Sequence, residues 1–370
     1  MIDKLKSIVS QNLINIPGFR TNRKIVVFES DDWGSIRMPS KKVFKTLSQN
    51  KIPVEKSPYC KFDSLESNSD LYSLFDLLTR FKDFKGNYPI ITANTVVTNP
   101  DFERINDSSL KEYHYELFTE TLKKYPDSDD VYNLYIDGIK NNIFFPQFHG
   151  REHVNIEMWM NLINHNNAYK LAFENKMWGL SNDIFTNSKS IQATYNSNNK
   201  KLMKDSIKSG LKIFKTLFGY NSKSFIANNF IWSVYLEKIL SESGVKHLQG
   251  MKYQILPKQN DKPNGRIRHY LGDINEFNQI YSVRNCSFEP SIDGGGYKKT
   301  IKEINNAFFW KKPAIISAHR LNFIGRLDQK NKERNSNEFK KLLSEILKKW
   351  PEVEFMHTMS LDKIIRARNF

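Results

Sequence analysis

The segment Ile25-Val26-Val27-Phe28-Glu29-Ser30-Asp31-Asp32-Trp33-Gly34 runs an apolar, strand-like stretch straight into two adjacent carboxylates and a Trp-Gly turn. Successive side chains of a strand alternate faces, so Asp31 and Asp32 reach one cavity only where the strand breaks into a loop. Gly34 permits such a break. One carboxylate can then bind a cation while its neighbour stays free as a base toward water. Two further apolar runs end in residues of the same kind. Ile143 to Phe148 leads into His149-Gly150-Arg151-Glu152-His153, and Pro313 to Ala318 leads into His319-Arg320. If the chain turns into a helix at His149, two histidines four apart share one face, with Cβ atoms about 6 Å apart, and can hold a single divalent ion. Two histidines and one carboxylate leave coordination positions for water and substrate, as catalytic sites require. His319, titrating near neutrality, suits proton delivery to a leaving group.

In order and character, Ser30-Asp31-Asp32-Trp33-Gly34, His149-x-x-x-His153 and the late strand ending in His319 resemble the motifs of polysaccharide deacetylases. These are the chitooligosaccharide deacetylase homology domains of the glycoside hydrolase/deacetylase superfamily, and the resemblance runs from about residue 24 to residue 360. It implies an α/β fold, an irregular (β/α)7-type barrel with elaborated loops, and removal of acetyl groups from an acetylated sugar of a polysaccharide, oligosaccharide or glycan precursor. It further implies Asp31 as catalytic base, Asp32, His149 and His153 as metal ligands and His319 as general acid. The implied cofactor is a divalent ion, zinc first, with cobalt, nickel or manganese accepted by the same ligands. Two motifs depart from the pattern. The family's arginine that orients the base has no counterpart in Ser224 to Trp232, which leaves Arg37, Arg151 or Arg320 to replace it, Arg320 being adjacent to His319. The family's support for the acid histidine has no clear equivalent either, and Arg284 to Pro290 fills part of that role, with Arg284 or Glu289 reaching the pocket. Substrate contacts are expected from Trp33, Trp232, Arg320, Arg284 and Glu289, with Trp33, Trp232 and Phe323 stacking on sugar faces.

These residues need a frame that brings distant strand ends together. Strand-like runs near residues 24 to 30, 89 to 97, 143 to 148, 223 to 227, 280 to 285, 313 to 318 and 353 to 356 alternate with helical patterns, as in an α/β barrel. Apolar spacing predicts helices over Asp70 to Phe81, Leu202 to Phe218 and Lys298 to Trp310. At 370 residues the chain suits one elaborated domain, residues 24–370, preceded by an amphipathic helical extension over 1–23. An Asn-, Ser- and Lys-rich loop or helix insertion around 164–201 shapes the rim or a subsite. The glycine-rich Asp293 to Gly296 precedes a helix and lacks the ending of a nucleotide-binding loop.

Composition narrows the partners. The net charge of +16 comes from scattered Lys with no basic helix, so nucleic acid is not expected. No signal peptide and no membrane span is legible, and a cytoplasmic enzyme of polysaccharide biosynthesis is expected. Cys60 and Cys286 suggest neither a zinc site nor a disulfide. Oligomeric state stays open. Two rivals remain: a glycoside hydrolase on the same barrel using Asp31 with Glu289, and a non-catalytic glycan-binding protein.

Overall fold

Short apolar runs separated by amphipathic helices favour a parallel sheet with helices outside, because every parallel crossover needs the length of a helix to return. The computed structural model describes residues 12–180, 189–257 and 265–369. Its main sheet comprises β1 (Ile25–Trp33), β2 (Ile91–Thr95), β3 (Phe144–Phe148), β4 (Ser224–Ile226), β5 (His247–Gly250), β6 (Ile280–Val283), β7 (Cys286–Ser287), β8 (Ala314–His319) and β9 (Glu354–Phe355). In space the order is β6, β5, β4, β3, β2, β1, β8, β7, all pairs parallel, with β9 beside the start of β1.

β6 and β7 are two halves of one extended segment. It pairs with β5 through Val283, then Arg284 N donates to Gly250 O at 2.9 Å and Asn285 N to Ile315 O at 3.2 Å, after which β7 pairs with β8. This single segment joins both edges of the sheet, so the barrel closes with seven staves, the expected α/β class. One stave was not expected. β5 carries His247 and Gln249 at inward positions and reads as polar, whereas the run at 353 to 356 forms only the two-residue β9 at the base of β1.

Period-two alternation layers the interior. Ile25, Val27, Ile280 and Ile315 plug the bottom with Leu271, Leu361 and Ile365. Above them lies a polar layer: Gln249 Nε2 donates to Asn94 Oδ1 (3.0 Å) and Ser224 Oγ (2.9 Å), and Gln147 Oε1 accepts from Ser224 N (3.0 Å) and Oγ (2.8 Å). The alternate residues of β1, Val26 and Phe28, belong to the larger core under the helices. Those helices include α1 (Asn68–Thr79), α2 (Lys200–Phe218) and α3 (Tyr297–Phe309), each within two residues of its expected limits at both ends. Ahead of α3, the Glu338 carboxylate accepts from Tyr297 N at 3.1 Å, and a Cβ on Gly296 would collide with it. Gly296 therefore admits an internal carboxylate at the start of this helix.

Of the expected helical extension over 1–23, residues 1–11 lie outside the described residues, 12–15 are helical and the rest is not. Its non-helical part is strapped to the barrel base: Lys312 Nζ donates to the carbonyls of Pro17, Gly18 and Phe19 at 2.6, 2.7 and 2.6 Å. Among the described residues no helix is long and apolar enough to cross a membrane.

At the top of the barrel, a buried ion cluster fixes the turn after β1. Arg320 donates to Asp63 Oδ1 (2.9 and 3.0 Å) and to Glu66 Oε2 (2.7 Å), and Glu66 Oε1 accepts from Gly34 N (3.0 Å) and from the Tyr135 hydroxyl. Removing one member of a fully buried cluster strands its partners' charge. Arg320→Met should therefore lower unfolding free energy by about 3–5 kcal/mol, read from urea denaturation.

Candidate active site

Asp32 has a φ of 75°, rare for a residue with a side chain, and the β1–β2 register shifts between Ser30 and Trp33. This break defeats the alternation of the strand. Asp31 stays on the interior face, in register with His319 of β8, and Asp32 turns toward the loop after β3.

Asp31 is gripped from across the barrel. Arg284 Nη1 donates to Oδ2 at 2.6 Å and Nη2 to Oδ1 at 2.7 Å, a two-pronged pair, while Asn94 Nδ2 donates to Oδ1 at 2.7 Å. Arg284 Nε is taken by Glu29 at 2.7 Å. Burial alone would raise the Asp31 pKa, but the charge and hydrogen bonds of Arg284 overcome it and hold the carboxyl below its usual range.

Asp32 meets the two histidines. His149 Nε2 lies 3.4 Å and His153 Nε2 3.1 Å from Asp32 Oδ1. Contrary to expectation, residues 149–155 form a loop, with Gly150 at φ 124°, instead of a helical turn. The loop still aims both rings at one point. His149 Nδ1 donates to Ile226 O at 3.0 Å, which frees the Nε2 lone pair toward Asp32. Burial, reinforced by the Arg37 charge, holds His153 down to about 4 and therefore neutral. Ligands about 2.1 Å from one ion are separated by roughly 3.0–3.4 Å at octahedral to tetrahedral angles. The Asp32-to-histidine separations match, and the three ligand atoms lie within 4.8 Å of one another. Asp32, His149 and His153 thus fit a divalent ion in donor type and spacing, the one such cluster among the described residues.

His319 faces Asp31, with Nε2 3.9 Å from Oδ2, and its Nδ1 donates to Glu289 Oε1 at 2.6 Å. Burial pulls its pKa down, but the Glu289 charge and hydrogen bond, with help from Asp32 and Asp31, push it up to about 9. The base-like carboxylate and the acid-like imidazolium have their pKa values moved apart, as paired acid and base roles need.

A cavity of about 330 Å³ lies over Asp31, Asp32, His149, His153 and His319, the five residues expected to carry chemistry. The expected substrate contacts lie elsewhere. Trp33 is fully buried, its Nε1 on Ser30 Oγ (3.0 Å) and its ring edge-on to Phe144 (4.9 Å). Trp232 is buried with Nε1 on Glu237 (2.9 Å), Phe323 packs against Phe288 and Phe339, and Arg320 belongs to the Asp63–Glu66 cluster. Arg284 and Glu289 sit behind Asp31 and His319, one holding each. Arg284 therefore takes the base-orienting position assigned to Arg37, Arg151 or Arg320. Arg151 pairs with Glu152 at 2.5 Å, away from Asp31.

Arg37, one of the arginines expected to orient the base, lines the cavity but bonds Asp32 instead, and sequence reading missed Tyr59, Gln192 and Asn229, which also line it, and Asn94 and Asn228, which bond Asp31 and His149. Only Asn228-Asn229 carried a signal: Asn is enriched at positive φ, and Asn229 and Phe230 lie at 55° and 58° on the cavity wall. A larger apolar cavity of about 520 Å³ near Val43, Phe102 and Tyr125 holds none of the catalytic candidates.

No family model and no curated protein matches the sequence. Among solved structures the chain is similar to one from Mycobacterium smegmatis described as a polysaccharide deacetylase (8% identity, TM-score 0.45, 96% of this chain and 94% of that one). Another so described, from Pseudomonas aeruginosa, gives 9% identity and TM-score 0.43 over 93% and 91%. The 4-alpha-glucanotransferase of Thermococcus litoralis gives 10% identity and TM-score 0.46 over 91% of this chain and 40% of its own.

Two measurements probe this geometry. Calorimetric titration with zinc should show about one ion per chain, and a His149→Ala, His153→Ala double variant should lose it. In chelator-treated protein, His319 binds its proton up to about pH 9, whereas the unfolded residue releases it near 6.5. Its stabilising contribution is full below the unfolded value and is lost as pH rises through the folded one. Urea midpoints should fall across that window, and Glu289→Gln should flatten the slope.

Proposed function

We propose that this chain is a metal-dependent hydrolase that removes acetyl groups from an acetylated sugar. One observation carries the reading. Two adjacent aspartates are divided between different partners, Asp31 clamped by Arg284 and Asp32 facing two histidine nitrogens, with His319 opposite. A binding protein has no need of that division.

Asp32, His149 and His153 would hold the ion. When bound, such an ion lowers the pKa of water and polarises an acyl carbonyl. Asp31, kept ionised by Arg284 and oriented by Asn94, accepts the proton of the attacking water. His319, protonated at neutral pH and steered by Glu289, delivers a proton to the departing nitrogen or oxygen as the carbon–heteroatom bond breaks. The products are acetate and the free amine or alcohol. At about 330 Å³ the cavity falls at the small end of ligand pockets, roughly 300–1,000 Å³, and suits one sugar unit.

The glycosidase reading needs two free carboxylates flanking a bond. Glu289 does not meet that need, since Oε1 accepts from His319 and Oε2 from Asn322 Nδ2 at 2.7 Å.

Acetate release from N-acetylglucosamine oligomers by zinc-loaded protein tests the proposal. Asp31→Asn and His319→Ala should each slow it by about 10²–10⁴-fold while zinc content stays constant. Sugar release without acetate would instead establish a glycosidase.

A further inference from the structure

Arg37 follows the Asp31-Asp32 turn and has more donors than partners. Its Nη2 donates to Asp32 Oδ2 at 3.0 Å and lies 3.4 Å from His153 Nε2. Its Nε is 3.5 Å from Asp63 Oδ2, close enough for charge attraction but without a hydrogen bond, and Asp63 already pairs with Arg320. Nη1 has no partner at all. The rings of Tyr59 and Trp178 lie 5.4 and 4.9 Å from the guanidinium carbon and confine the group, whose side chain is 5% exposed.

A second unsatisfied donor lines the same cavity. Gln192, 6% exposed, has Nε2 without a partner. Buried polar groups are normally bonded, so orphaned donors on two residues that line one cavity mark a place where an acceptor belongs. The proton transfers assigned to Asp31 and His319 use neither.

We propose that Arg37 Nη1 and Gln192 Nε2 form an anion subsite for a carboxylate or phosphate carried by the sugar, which makes acidic amino sugars the substrate class. The inference rests on the acetyl-sugar reading of the cavity. It favours an anion over a neutral hydroxyl because a desolvated guanidinium N–H bonds most strongly to a charged oxygen. Its own counter-charges are shared out, Asp32 with two histidines and Asp63 with Arg320. Arg37 is thus the cavity's guanidinium with an edge to spare, whereas Arg284 is spent on Asp31 and Glu29.

The test is calorimetric binding of N-acetylglucosamine, N-acetylglucosamine 6-phosphate, N-acetylglucosaminuronic acid and inorganic phosphate, with metal content matched by mass spectrometry. Wild-type protein should bind at least one charged sugar about tenfold more tightly than the neutral one, and the arm that wins identifies phosphate or carboxylate. That preference should vanish in Arg37→Gln and weaken in Gln192→Leu, a variant that leaves the Asp32 partner in place. Equal binding of charged and neutral sugars overturns the subsite. So does a preference that survives both substitutions at equal metal content, which assigns it to the ion. If no sugar binds but inorganic phosphate does so through Arg37, the subsite stands and the acetyl-sugar reading falls. If neither sugar nor phosphate depends on Arg37, the subsite is overturned.

Discussion

Neighbouring residues of a β-strand face opposite ways, and the candidate active site exists because one residue breaks that rule. Asp32, at a φ of 75°, is held in a conformation that favours glycine, and the surrounding contacts supply the compensation. Glu66 pins Gly34 from one side, while Arg37 donates to Asp32 itself. Arg320 in turn neutralises Glu66. Without this clamp the backbone would relax toward ordinary strand geometry, and one of the two carboxylates would leave the cavity.

The interior of the barrel serves the same end. Its lower layer is apolar and its upper layers are a hydrogen-bonded lattice running from Gln147 through Ser224, Gln249 and Asn94 to Asp31. Buried polar side chains are costly unless satisfied, but satisfied ones hold each other rigidly. Arg284 stands at the seam where one segment leaves β5 and joins β8, so the closure of the sheet and the ionisation of Asp31 depend on the same residue's position. Thr358 reaches the lattice from the barrel base, its hydroxyl on Glu29 at 2.7 Å, and Glu29 in turn holds Arg284.

Much of the site was legible because its signals are local. Asp31-Asp32, His149 with His153, and His319 each end an apolar run, and a strand end in an α/β barrel is where side chains meet. The wrong expectations share a cause. Trp33, Trp232 and Arg320 lie beside functional residues in sequence, but adjacency does not say which face a side chain takes once a strand has bulged or ended. The helix expected at His149 failed for a related reason: Gly150 takes a positive φ, and the loop alone brings the two rings together.

By itself the sequence determined the period-two and helical patterns, hence the α/β class, and the identity of the groups able to bind a cation or move a proton. These depend on residues close together in the chain. The tertiary structure alone decided what those groups face. Arg284 grips Asp31 from 253 residues away and Glu289 steers His319 from 30, through strand register and ring closure that no local pattern encodes. The pairing of Asp31 with His319, the division of labour between the two aspartates and the unpartnered edge of Arg37 all stem from that closure, because hydrogen-bond partners are chosen by distance in space and not by distance along the chain.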